Sequence, residues 1–98
     1  MASFIFIYRA GPDPIPSERV AENREAWRAW NVALQEEHGI RTAAGKVVTS
    51  STVSDSDGIV RGASMVEFDS MDAALDVAKG APNLAFGGSV EVLEEFAR

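Results

Sequence analysis

The 98-residue chain has no cysteine. That removes disulfides, thiolate nucleophiles and cysteine-ligated metal or iron–sulfur centres from consideration, and it suits a reducing cytoplasm, the expected location. Histidine is almost as scarce, with His38 alone. One histidine and no cysteine cannot build a tetrahedral zinc site without several well-spaced carboxylates, and no such spacing is seen. Long apolar runs are missing too. The opening "MASFIFIYRAG" offers five strand-like apolar residues, Phe4 to Tyr8, with no basic segment before them, too few for a signal-peptide core or a membrane span. Positive charge is in deficit: nine Lys and Arg stand against fifteen Asp and Glu, a net charge of −6. Neither a phosphate backbone nor an anionic membrane is an expected partner.

Several catalytic and ligand motifs are also missing. There is no GxSxG elbow, no GxGxxG and no Walker pattern around "FGGS", Phe86–Ser89. "DSDG" resembles part of a calcium loop. With Gly58 as its sixth position, however, the first would be Val53 and the twelfth Ser64, where carboxylates are needed. It reads as a turn.

What is present is a regular alternation of elements. "SFIFIYR", Ser3–Arg9, reads as a strand with Phe4, Phe6 and Tyr8 on one face and Ile5 and Ile7 on the other. Three prolines make "AGPDPIP" a loop. Ser17 reads as an N-cap, Gly39 as a C′ residue, and a helix is expected from about Glu18 to His38. On a helical wheel Val20, Trp27, Trp30 and Leu34 share a stripe, and Asn23, Asn31 and His38 lie on or beside it. "KVVTSSTV", Lys46–Val53, and "IVRGASMVEF", Ile59–Phe68, read as strands joined by the turn "SDSDG". Ser70 caps a second helix, Met71–Lys79, with apolar positions Met71, Ala74, Leu75 and Ala78. Gly80 and Pro82 stop it. "SVEVLEEF", Ser89–Phe96, is the last strand, facing inward through Val90, Val92 and Phe96, with Glu91, Glu94 and Glu95 discouraging edge pairing.

The order β-α-β-β-α-β, with right-handed crossovers, predicts a single α+β domain over residues 1–98: a ferredoxin-like split sheet with both helices on one face. The first strand is apolar on both faces, so the other face should be covered as well. A homodimer packing sheet on sheet is the economical solution, giving a dimeric α/β barrel.

The strand "FIFIYR", the helix segment "WRAWNVALQE", the "GKVV" strand start, "MVEFDSMDAALDVAKGAP" and the closing "GGSVEVLEEF" together resemble the YCII-related domain family over nearly the whole chain. The resemblance implies a dimeric α+β barrel of two ferredoxin-like protomers. The family includes members with a His–Asp pair suggestive of catalysis, and a few that act on products of aromatic-ring degradation. This chain has no histidine near the first strand or at the start of the first helix. Where the family carries "DGPF" it reads "DGIVRGAS", Asp57–Ser64. The catalytic pair is therefore not carried over.

The candidate site residues are Tyr8, Trp27, Trp30 and Asn31 for ligand binding and His38 for acid–base chemistry. Trp27 and Trp30 either fill the core or wall a pocket. His38 either caps the last helical carbonyls or acts as an acid–base group. Asn31 either bonds Tyr8 or lines a cavity, since an Asn within a helix has a propensity cost. Asn23 is expected at the solvated margin. No cofactor is expected; an axial haem ligand at His38 is possible in principle. Three functions compete: a barrel binding a small aromatic or lactone-like molecule in the cleft between first helix and sheet; a cofactor-independent lyase or isomerase using His38; and a non-catalytic dimeric interaction module.

Overall fold

A computed structural model describes residues 2–34, the backbone of 38–41, and residues 45–95. The first strand, β1 (Ala2–Arg9), is central. Phe4, Phe6 and Tyr8 are 1%, 0% and 4% exposed, whereas Ile5 between them is 37% exposed, so the period-2 alternation separates an inner face from an outer one. After the proline loop a short 3-10 turn, Ser17–Arg19, leads into α1 (Val20–Leu34). The chain then forms β2 (His38–Arg41), an outlying hairpin of β3 (Lys46–Val48) and β4 (Val53–Asp55), and the long strand β5 (Val60–Phe68). Next come α2 (Met71–Ala78), a 3-10 turn over Pro82–Phe86, and β6 (Ser89–Glu94).

The main sheet has the order β2-β5-β1-β6, and every neighbouring pair is antiparallel. With the hairpin set aside, this is the ferredoxin-like arrangement expected of an α+β chain with this element order. Both helices lie on the inner face. Trp27 of α1 and Ala74 and Ala78 of α2 join Phe4, Phe6, Tyr8 and Val66 in one core. Phe68 stacks on Phe6 with ring centroids 6.0 Å apart. Ser70 caps α2 by accepting from the Ala73 amide at 3.1 Å, which satisfies a helical donor that would otherwise lack a partner.

Four sequence expectations are corrected. First, α1 stops at Leu34, and His38 opens β2 instead of ending the helix. The apolar stripe continues on the wheel to His38, but the stretch Gly62–Met65 of β5 has a free ladder edge there. Residues 38–41 pair with it, His38 opposite Met65 and Gly39 opposite Ser64. A strand edge with unpaired amides and carbonyls outweighs four more helical residues. Second, Ser17 begins the 3-10 turn and does not cap α1 with its side chain.

Third, Lys46–Val53 is not one strand paired with Ile59–Phe68. It folds on itself at Thr49–Thr52, where the Thr49 amide donates to the Thr52 carbonyl at 2.8 Å. The two threonine hydroxyls meet at 2.6 Å. "SDSDG" joins β4 to β5 and does not turn between two paired strands. Fourth, Asn23 is half-buried, and its Oδ1 is buried without a hydrogen-bond partner, so it is not a solvated margin residue. The expectation that Phe96 faces inward lies outside the described residues.

The end of β1 is fastened from the C-terminal half. Asn83, buried in the Pro82–Phe86 turn, donates through Nδ2 to the carbonyls of Arg9 at 2.9 Å and Ser89 at 2.8 Å. Gly88 passes so close that a Cβ there would lie 2.4 Å from the Arg9 carbonyl oxygen.

Candidate functional site

The inner face of the sheet carries one polar line among its aromatic rings. In β1, Tyr8 stands opposite Gly62, and Phe6 stands opposite Ser64. The absence of a side chain at Gly62 leaves the phenol free to lean along β5. Its oxygen lies 2.7 Å from Ser64 Oγ. From above, α1 delivers Trp30, whose indole Nε1 donates to the same phenol oxygen at 3.0 Å. One turn earlier, Trp27 is 7% exposed and meets Tyr8 edge to face, centroids 4.9 Å apart at 81°, the geometry favoured by the ring quadrupoles.

Three of the sequence candidates, Tyr8, Trp27 and Trp30, therefore come together. Trp30 is half-buried, and its ring fits because residue 80 is glycine: a Cβ there would lie 3.3 Å from Trp30 Cζ3. Asn31, also half-buried, contributes no hydrogen bond to this line among the described contacts. His38 has left the helix for β2; its side chain lies outside the described residues.

Ser64 was not a candidate. It is 1% exposed and supplies the innermost hydroxyl of the line. A signal for it existed: in "GASMVEF" the alternate positions Gly62, Ser64, Val66 and Phe68 face inward, and a serine on a buried face needs a partner.

A concavity that the sequence reading did not suggest lies elsewhere. A groove of about 530 Å³ opens between α2, the Pro82–Phe86 turn and β6. Leu75, Leu84, Val90 and Val92 line it, with Asp72 and Asp76 among its polar groups. Leu75, expected within the apolar stripe of α2, is 41% exposed.

Among the described residues, no cluster of three or more histidine or carboxylate side chains could hold a metal ion, and no helix is long and apolar enough to cross a membrane. Among the described residues, the clear displacements of acid–base strength lie away from the aromatic line, at Arg19 and Glu22. There the hydrogen bond to Arg19, and then its positive charge, holds the Glu22 carboxyl below the ordinary value.

A search of curated proteins returns no match. The family comparison does return one: the YCII-related domain model matches residues 2–96. With the βαββαβ order and the split antiparallel sheet already in place, that match covers nearly every residue of the fold, and the chain belongs to the YCII-related domain family.

Proposed function

We propose that the chain works as a homodimer that binds a small aromatic or lactone-like molecule in the cleft between α1 and the sheet. The observation that carries the ligand half is the Trp30–Tyr8–Ser64 line. Ligand sites combine apolar and aromatic walls with a few convergent polar groups. Here a half-buried indole and a buried phenol share one oxygen at the top of an aromatic layer. Breaking the Trp30–Tyr8 contact frees the indole Nε1–H to donate to a ligand carbonyl or carboxylate and the phenol oxygen to accept from a ligand hydroxyl, while Ser64 still anchors the phenol. Trp27 and Trp30 form the wall, and Asn31 lies one residue further along α1.

The dimer half is supported by the outer face. Leu93, Ile5 and Met65 lie directly opposite one another across β6, β1 and β5, forming an apolar row. They are 39%, 37% and 52% exposed. A two-fold axis through such a row places the same patch on both copies.

No observation favours acid–base catalysis by His38 over binding alone. The exposed row does favour a second reading, the non-catalytic interaction module, and one experiment separates the two. Tryptophan fluorescence is followed while benzoate, catechol and a simple butenolide are titrated into wild type and Trp30→Leu. The binding reading expects saturable quenching in wild type that is lost in the variant, with the circular dichroism unchanged. A folded dimer whose fluorescence answers to none of the three is the interaction module, and the cleft reading is abandoned.

A further inference from the structure

The groove beside α2 borders an open strand edge. In the order β2-β5-β1-β6, no strand lies beyond β6 among the described residues. The Glu95 amide donates to the Ser3 carbonyl at 2.8 Å. In an antiparallel ladder the backbone groups of successive residues turn alternately to one neighbour and to the other. Ser89, Glu91 and Leu93 therefore turn their backbone groups to β1. Val90, Val92 and Glu94 present theirs, N–H and C=O alike, to the open edge. The side chains of these three stand on the inner face, opposite Tyr8, Phe6 and Phe4. Over them runs one flank of α2. Asp72, Leu75, Asp76 and Lys79 share that flank by helical spacing, and with Val90 and Val92 they line the groove of about 530 Å³. Apolar surface and unpaired main-chain groups thus lie side by side.

The charges on the rim are uneven. Lys79 pairs with Asp76 at 3.5 Å, whereas Asp72 and Glu94 enter no ion pair among the described residues. These two lie toward the same end. There β5 ends with Phe68 opposite Ala2, α2 begins, and β6 ends with Glu94 opposite Phe4. We propose that edge and groove together bind an extended, basic peptide segment of a partner protein, added antiparallel to β6 as a fifth strand. Its alternate side chains enter the groove: apolar ones opposite Val92 and Val90, and a lysine or arginine opposite Glu94, on the side of Asp72. Main-chain bonds to the edge supply affinity, and the groove selects the sequence. Charge argues for this occupant over a second copy. Each copy has a net charge of −6 and three glutamates between Glu91 and Glu95, so self-pairing sets two acidic strands side by side. A basic strand meets opposite charge at the same positions. The site shares no residue with the aromatic line or with the outer Leu93–Ile5–Met65 row, so it stands or falls apart from both proposals above.

The test uses the peptide acetyl-Arg-Thr-Val-Thr-Val-Thr-amide, titrated into ¹⁵N-labelled protein and followed by amide NMR. Strand addition expects saturable shifts at the Val90, Val92 and Glu94 amides, with a dissociation constant of about a millimolar or below. Two altered peptides separate the contributions. Methylating the nitrogen of the first valine removes its donor to the edge and leaves every side chain in place; binding about tenfold weaker is expected. Exchanging the arginine for glutamate should weaken binding about threefold or more, and that difference should shrink in Asp72→Asn/Glu94→Gln. Hydrogen exchange of the peptide-free protein should show the Val90, Val92 and Glu94 amides unprotected and those of Glu91 and Leu93 protected. Absence of shifts at the edge, or a methylated peptide that binds like its parent, overturns strand addition. Equal binding of the arginine and glutamate peptides overturns the choice of a basic partner. Edge amides already protected without peptide mean that a second copy occupies the edge, and that too overturns the proposal.

Discussion

The hydroxyls of Tyr8 and Ser64 meet at 2.7 Å across a diagonal of the sheet, because the residue directly opposite Tyr8 is Gly62. The contact ties β1 to β5 under the cover of α1, and Trp30 ties the helix to the same oxygen. The core thus contains a polar junction joining three elements, among apolar side chains such as Phe4, Phe6, Trp27 and Val66.

Removing the junction from different sides should cost different amounts. Ser64→Ala deletes one hydrogen bond and leaves the phenol bonded to Trp30; about 1 kcal/mol of stability is expected to be lost. Tyr8→Phe takes the shared oxygen from both Trp30 and Ser64, the latter fully buried, and about 2–3 kcal/mol is expected. The double variant should cost clearly less than the sum, because the two residues share a contact. Urea denaturation of the four proteins measures all three quantities. Strict additivity would mean the hydroxyl pair is not an interaction in solution.

Two glycines separate close approach from backbone conformation. At Gly88 a Cβ would press on backbone, 2.4 Å from the Arg9 carbonyl and 2.8 Å from that of Asn83. Gly88→Ala is expected to cost roughly 2–4 kcal/mol by forcing β1 and the Pro82–Phe86 turn apart. Gly58 has φ of +75°, and a Cβ there would meet nothing within 4 Å, so Gly58→Ala meets only the left-handed backbone cost, about 1 kcal/mol. Hydrogen exchange at the Ser89 and Val90 amides should rise in the first variant and stay unchanged in the second.

Titration should reveal the Arg19–Glu22 pair. The carboxyl of Glu22 is held below its ordinary value, first by the Arg19 hydrogen bond and then by its charge. A group with a depressed folded pKa stabilises the fold above its unfolded pKa, and that contribution is lost as pH falls through the folded one. The pair is fully exposed, so the effect on stability is slight. Its expected signature is an NMR titration midpoint for Glu22 below that of a peptide glutamate, moving back up in Arg19→Gln and in high salt. A midpoint indifferent to both changes would remove the pair.

The parts of the fold that could be read from residues were those where one signal dominated. Alternation in "SFIFIYR" marked both faces of β1, and Ser70 marked the start of α2. The misreadings arose where two signals competed. His38 continues the helical stripe and is followed by Gly39, so periodicity and a stop residue both favoured helix; the decisive factor, the free edge of β5, is a tertiary one. "KVVTSSTV" is rich in β-branched residues and contains no glycine, proline or asparagine, so nothing in it announced a turn. Threonine hydroxyls make that turn instead. At the candidate site, Tyr8, Trp27 and Trp30 were legible as large aromatics at suitable spacing. Ser64 was not singled out, because a serine acquires meaning only when its strand's buried face is known.

The central position of β1 has a consequence for biosynthesis. Both of its partners, β5 and β6, come from the last forty residues of the chain. At translation rates of about 5–20 residues per second, the segment Phe4–Tyr8 waits roughly 3–12 s between its own synthesis and that of β5. For that interval the most apolar strand of the protein has two open edges. Until β5 and β6 follow, the chain is most vulnerable to aggregation through this strand, and a chaperone that recognises short apolar extended segments would find its target in "FIFIY".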